Sequence, residues 1–268
     1  MSGARHIRLH CQGQGPCLLF LHGWTMAGDI FAGSFERLSD RFTCLAPDLP
    51  GHGGTTGFSP TVPGAADMLA ALLADEGLEE VTLVGWSLGA LVGWQHLAGR
   101  GTGPVRAMIS LDMSPRPQND AGWALGLRGQ DADALREKSR RFRADWPRAA
   151  QSIARNMFAE PEGAEGLSVD QAAARIAAQP AGVMADFWDS LIACDLRAAV
   201  QALPVPLLAI HGAQSRAYPS DTSAWLAENA PRGHQLVLPG VGHAPLLEAP
   251  ETTCAAIADF AQSHRIGR

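Results

Sequence analysis

Ser87 stands between two glycines in Gly85-Trp86-Ser87-Leu88-Gly89, where an apolar run, Val81–Val84, gives way to a helix-like pattern of Leu91, Val92, Trp94 and Leu97. A G-x-S-x-G turn from strand to helix is a nucleophile elbow: it strains the serine backbone and exposes the hydroxyl at the sheet edge, near a helix N-terminus. The flanking glycines give clearance that any β-carbon would remove. A serine hydroxyl is a weak nucleophile near neutral pH and needs a base. Of the nine histidines, His243 is the best candidate, because the loop Pro239-Gly240-Val241-Gly242-His243 directly follows the last apolar run, Gln235–Leu238. His52, His96, His211, His234 and His264 lack that relation, although His211-Gly212 also ends a strand-like run.

Attack by such a nucleophile on a carbonyl places negative charge on oxygen, which preorganised N–H groups must receive. The apolar run Leu18–Leu21 ends in His22-Gly23-Trp24. In elbow proteins one donor is the amide after the nucleophile and the other comes from a loop of this kind, so the expected pair is Leu88 and Trp24.

These residues need a frame. Short apolar runs (Ile7–His10, Cys17–Leu21, Phe42–Ala46, Val81–Val84, Val105–Leu111) alternate with helical patterns over the first 112 residues, as in a mainly parallel sheet covered by helices. From Ser114 to about Asp195 no convincing β run occurs, only helical segments such as Asp133–Phe142, Arg148–Phe158 and Asp170–Ala178, broken at Pro147, Pro161 and Pro180. The sheet resumes at Pro206–Ile210 and Gln235–Leu238, and a helix follows from about Glu251 to Ser263. The expected class is α/β, with a core in two parts (1–113 and 196–268) interrupted by a helical cap (114–195).

Composition narrows the function. A chain of 268 residues with 46% hydrophobic content can bury a large core, and a net charge of −6 argues against nucleic-acid binding as the main role. Five scattered cysteines (Cys11, Cys17, Cys44, Cys194, Cys254), with no C-x-x-C pair, argue against a disulfide framework or a zinc site. Met1–His10 has no apolar leader core, and no run has the length of a membrane span. The expectation is a soluble, cytoplasmic protein without membrane association. No metal-ligand motif appears, and Gly51-His52-Gly53-Gly54 lacks the dinucleotide fingerprint, so no metal or cofactor is expected.

The elbow, the turn Asp48-Leu49-Pro50-Gly51-His52-Gly53, the order of Ser87 before His243 and the capped core together resemble the α/β-hydrolase family, over about residues 17–250. Within it, His22-Gly23-Trp24 with Gly85-Trp86-Ser87-Leu88-Gly89 is similar to the pimeloyl-acyl-carrier-protein methyl ester esterases of biotin synthesis. The resemblance implies ester hydrolysis through an acyl-enzyme, with no cofactor. Thioester or lactone hydrolysis and a non-catalytic ligand-binding homologue stay open as alternatives. In most members the triad acid follows the strand ending here at His211-Gly212, in a pattern like H-G-x-x-D, but the matching position is Ser215. Some relatives carry the acid one strand earlier, and there the residue after Val105–Leu111 is Asp112. Asp112 is therefore the expected orienting acid, with Asp48 a structural turn residue.

Trp24, Trp86, Leu88 and Phe142 are candidate substrate contacts, and cap aromatics such as Trp123, Trp146 and Trp188 add to the apolar supply. The stretch Arg136–Arg148 holds six basic and two acidic residues, and Arg136, Arg140 and Arg143 share one helix face by spacing. That face is a candidate docking surface for an acidic partner, and the resemblance points to acyl carrier protein.

Overall fold

The computed structural model describes residues 5–265, so the first four residues of the stretch Met1–His10 and the last three of segment 196–268 lie outside it. The chain begins with β1 (Leu9–Gln12) and β2 (Cys17–Leu21), then α1 (Ala32–Leu38) and β3 (Thr43–Pro47). Next come α2 (Val62–Asp75), β4 (Val81–Trp86), α3 (Leu88–Arg100) and β5 (Val105–Leu111). The following segment carries α4 (Ala132–Ala144), α5 (Trp146–Met157), a small hairpin of β6 (Gly163–Ala164) and β7 (Leu167–Ser168), α6 (Val169–Ala177) and α7 (Ala181–Ile192). Then α8 (Arg197–Gln201), β8 (Leu207–Gly212), α9 (Asp221–Asn229), β9 (Gly233–Leu238), α10 (Pro245–Glu248) and α11 (Pro250–Ser263) complete the described chain.

Seven strands form one sheet in the order β1-β3-β2-β4-β5-β8-β9. Only β1 runs antiparallel to its neighbour; the other sheet pairs are parallel. Parallel strands covered on both faces should be apolar throughout, and β2, β4 and β8 are buried along their whole length. Register then positions the chemistry. Leu21 pairs with Gly85, Trp86 with Leu111, and Leu111 with Ile210. The next residues, His22, Ser87, Asp112 and His211, therefore emerge together at the carboxyl edge of the sheet, where open α/β sheets bind ligands.

Some expectations shift. The first strand lies two residues later than Ile7–His10, as a partly exposed edge strand that gives a weak apolar signal. Pro147 does not break a helix: it sits in the first turn of α5, where its missing N–H would have had no partner, and the Asp145 side chain caps that turn by accepting from the Arg148 amide at 3.1 Å. The cap also contains the short hairpin β6–β7, whose two-residue strands leave no periodic trace. Within the cap α4 packs on α7 and α5 on α6. Among the described residues no helix is long and apolar enough to cross a membrane.

The elbow itself is tight. A Cβ on Gly85 would lie 2.5 Å from the Ala90 amide nitrogen, and one on Gly89 would overlap the Leu21 carbonyl of the neighbouring strand. Gly89→Ala must push α3 away from β2 and should cost about 1–3 kcal/mol, the scale of overpacking a filled interior. Gly99, on the same helix, has open space around it, so Gly99→Ala should be neutral or stabilising by up to about 1 kcal/mol. Urea unfolding of both variants checks the pair; equal effects would refute the packing argument.

Candidate active site

Ser87 occupies φ 51°, ψ −117° at the elbow, and its amide donates to the Leu111 carbonyl of β5 at 2.9 Å. Its Oγ lies 3.0 Å from His243 Nε2, and His243 Nδ1 lies 2.5 Å from Asp112 Oδ2. With the carboxylate accepting from Nδ1–H, the free lone pair on Nε2 faces the serine hydroxyl. Such an arrangement can draw a proton from Ser87 and hold the resulting imidazolium.

Asp112 is buried, with its backbone in the left-handed region at φ 48°. His211 Nε2 lies 2.9 Å from Oδ1, the Ser215 hydroxyl donates to Oδ2 at 2.6 Å, and the Gly212 amide approaches Oδ1 at 3.4 Å. Burial alone would raise the Asp112 pKa, but the charge and hydrogen bonds of His211 and of His243 outweigh it and hold the carboxyl well below the usual carboxylate range. Sequence reasoning gave Asp112 as the expected orienting acid and noted His211 only for its place at a strand end. It also noted that Ser215 occupies the family's usual acid position. The structure adds that Ser215 is a hydrogen-bond donor to the acid on the adjacent strand.

The loops are pinned from several sides. The Trp86 indole N–H donates to the His243 carbonyl at 2.6 Å, and the His243 amide donates to the Met157 carbonyl of the cap at 2.9 Å. Glu248, which sequence reasoning missed, accepts from the Gly242 and Ala244 amides around His243 and from the Ala159 amide in the cap, at 2.9, 3.0 and 2.7 Å. On the other side, His22 Nε2 accepts from the Leu49 amide at 2.8 Å while its Nδ1–H donates to the Gly23 carbonyl at 2.9 Å. His52 Nε2 accepts from the Thr25 amide at 3.2 Å, and Asp48 accepts from the Gly28 and Gly54 amides at 2.8 Å each. The turn carrying Trp24 is thus fixed by neighbouring backbone, and among the described residues neither the Trp24 nor the Leu88 amide has an acceptor within the chain.

A cavity of about 280 Å³ opens over Ser87 and His243, lined in part by Trp24, Trp86, Phe142, Met157 and Trp188. Leu88 requires correction as a substrate contact: its side chain is fully buried under the elbow, outside the cavity, which leaves only its amide for a ligand. Trp123 and Trp146 do not line the cavity either; Trp123 packs edge-on against Trp225, and Trp146 supports Trp24 from behind. Trp24 stacks near Trp188 and Phe142 and donates its indole N–H to the Met184 carbonyl at 3.0 Å, which ties the loop to α7. The lining residues Arg128, Lys138, Arg216 and Tyr218 were not anticipated, because they come from three separate segments with no motif between them.

The basic cap face also differs from its expectation. Arg136, Arg140 and Arg143 are exposed, but each is paired: Arg136 with Asp133, Arg140 with Glu137, and Arg143 with Asp186 and Asp189 of α7 at 2.9 and 2.8 Å. The free positive charge counted along the sequence is largely taken up by carboxylates of the same helix and of α7.

A seven-stranded, mostly parallel sheet with a serine at the strand-to-helix elbow defines an α/β-hydrolase type of protein. Residues 18–256 match the alpha/beta hydrolase family, and the chain belongs to it. It is 30% identical over 253 residues to the pimeloyl-[acyl-carrier protein] methyl ester esterase of Chromobacterium violaceum, covering 94% of this chain and 96% of that protein. The protein of the same name from Vibrio parahaemolyticus is 30% identical over 263 residues, with 95% and 98% covered. In structure the chain is similar to an esterase from Exiguobacterium antarcticum, with a TM-score of 0.89, 20% identity and 96% of each chain covered.

The buried loop histidines generate an acid-stability test. Burial lowers the His22 pKa from 6.5 to about 4, against the opposing hydrogen bond to Gly23, and burial likewise lowers His52 well below its ordinary value. In the unfolded chain these rings take up protons near pH 6.5; in the folded chain His22 does so only near 4. Stability should therefore be full above about pH 6.5 and fall as the pH drops toward 4, a window above that of the carboxylates. Thermal melts between pH 8 and 4 check this, and a flat profile would contradict neutral burial of the two rings.

Proposed function

We propose that the chain is a serine carboxylic ester hydrolase, and that its substrate is a methyl ester on an acyl chain borne by acyl carrier protein. One observation carries the reaction: the continuous contact from Ser87 Oγ through His243 to a buried, charged Asp112, at the floor of a partly apolar cavity. The substrate assignment draws on the names and the coverage of the relatives. A cytoplasmic setting belongs to the same reading and is supported by five cysteines that are all unbridged.

Ser87 Oγ attacks the ester carbonyl carbon while its proton passes to His243 Nε2. The carbonyl oxygen becomes an oxyanion received by the Trp24 and Leu88 amides. His243 then returns the proton to the departing alkoxide, which leaves as an alcohol, methanol for a methyl ester. Water, deprotonated by the same nitrogen, attacks the acyl-enzyme and releases the carboxylic acid and free Ser87. Asp112 holds Nδ1–H throughout. Ser215 and His211 act one step back, keeping the carboxylate aimed and ionised.

Ser87→Ala should abolish covalent labelling by a serine-directed phosphonate, measured by intact mass; persistent labelling at the same stoichiometry would place the nucleophile elsewhere. Asp112→Asn should lower kcat by roughly 10²–10⁴, through loss of imidazole orientation and charge stabilisation. Ser215→Ala removes one of the donors to a carboxylate that keeps two histidine contacts, so its loss should be about tenfold, the lower end of what one hydrogen bond to a charged group is worth. Steady-state kinetics on a short-chain ester rank the two, and a reversed order would refute the assignment of Asp112. A panel of methyl esters, thioesters and lactones tests the bond cleaved.

A further inference from the structure

We propose that the cavity over Ser87 takes esters whose acyl part carries a second, anionic group, a carboxylate or a phosphate, received by Lys138, Arg128 and Arg216. The proposal rests on the assignment of Ser87 as the nucleophile and adds the substrate class. Its first support is the makeup of the wall: these three cations line the cavity and, among the described residues, no aspartate or glutamate does, in a chain whose net charge is −6. An even scatter of charge would favour acidic residues there.

The second support is how each cation is held. Lys138 belongs to α4, whose arginines at 136, 140, 141 and 143 all pair with carboxylates. Lys138 instead turns toward the cavity, half-buried, with its ammonium 5.7 Å from the centre of the Trp188 ring, and no carboxylate pairs with it among the described residues. Burial lowers its pKa, the mark of a cation held with too little solvation. A ligand anion would restore what water and counter-charge do not supply.

Arg128 and Arg216 are fixed without being neutralised. Arg128 Nε donates to the Ser215 carbonyl at 2.9 Å, and Arg216 donates to the Arg155 and Ala159 carbonyls at 3.1 and 2.9 Å. Carbonyl acceptors orient a guanidinium but leave its full charge and its remaining N–H donors available, and these suit the two oxygens of a carboxylate or phosphate. Arg128 is held through Ser215, the residue that also donates to Asp112, so one segment serves the charged edge of the cavity and the acid beneath Ser87. Aromatic side chains, Trp24, Phe142 and Trp188, supply an apolar wall of the same cavity. A ligand with a neutral ester, a short apolar stretch and an anion matches that mixture.

The test uses matched substrate pairs that differ in one charge. The first pair is the monomethyl ester of a seven-carbon diacid, with a free carboxylate, against the dimethyl ester. The second is the methyl ester of the same diacid joined as a thioester to 4′-phosphopantetheine, against the pantetheine thioester without phosphate. In the wild-type protein the charged member of at least one pair should have a kcat/KM higher by about tenfold, the scale of one charge-assisted contact, and high salt should erode the difference. The pair that responds identifies the anion as carboxylate or phosphate. Lys138→Met and Arg216→Gln should bring that ratio toward one, while Lys138→Arg and Arg216→Lys should keep most of it, which separates loss of charge from loss of shape. Turnover of all four esters without a charge preference, or a preference that survives both neutral variants, would overturn the anion site while leaving Ser87 in place. Failure of the folded wild-type protein to hydrolyse any of them would instead bring down the reading on which the proposal rests.

Discussion

A carboxylate with almost no solvent exposure is the constraint around which this molecule is arranged. Removing an ionised group from water costs several kcal/mol even after relaxation, so Asp112 is tolerable only while donors surround it. Those donors come from β8 and its following turn, through His211, Gly212 and Ser215, and from the loop after β9, through His243. Asp112 directly follows β5, which pairs with β8, and β8 pairs with β9. One charge thus ties together the ends of three neighbouring strands. The same adjacency shows how a carboxylate after either β5 or β8 could reach one imidazole: both strand ends face it, and the hydroxyl of Ser215, after β8, donates to Asp112, after β5.

Backbone strain is concentrated at the same edge. Of the four non-glycine residues with positive φ among the described residues, Thr25, Ser87 and Asp112 all belong to the turns around the cavity. Each such conformation costs on the order of 1–3 kcal/mol and persists only where neighbours over-determine it. Here the neighbours can be named. Ser87 and Asp112 donate their amides to the next strand's carbonyls, at 2.9 and 2.8 Å, and Thr25 donates to His52. The sheet register, the edge-on contact of the His22 and His52 rings and the cap contacts of Trp24 thus act on one local geometry, in which the Ser87 hydroxyl, the His243 imidazole and two free amides meet.

How much of this could be read from the chain depends on the range of the interactions involved. The elbow, the His22-Gly23-Trp24 turn and the loop bearing His243 are local signals, since glycine spacing and a neighbouring apolar run suffice to mark them. Asp112 could be reached because it directly follows such a run and because Ser215 lacks a carboxylate. Glu248 carried no comparable signal: it is a surface-type residue at the end of a short helix, and its importance arises only when the chain brings Ala159 and the Gly242–Ala244 loop to its two oxygens. Leu88 misled as a substrate contact for a related reason. Sequence marks its position beside the nucleophile but not which way the first turn of α3 faces. Pro147 was misread because proline ends a helix from inside but opens one from its first turn, and only the Asp145 cap distinguishes the two.

Charge on the cap gives the sharpest case. Along the sequence, the residues of α4 form one basic cluster, and nothing local separates Lys138 from the arginines around it. Folding separates them, because Asp186 and Asp189 arrive from α7 to take up Arg143, Glu137 takes up Arg140 and Arg141, and Lys138 faces the other way with no such partner among the described residues. Exposed pairs of this kind contribute little to stability, about 0–1 kcal/mol each, so their main physical effect here is to cancel field on the outer face. Lys138 lies on the inner side, with Arg128 and Arg216, where the low dielectric of a partly enclosed cavity makes each unit of charge count for more than it would on the surface. The electrostatic character of the site is therefore set by pairing across the fold, and net charge per segment is a poor guide to it.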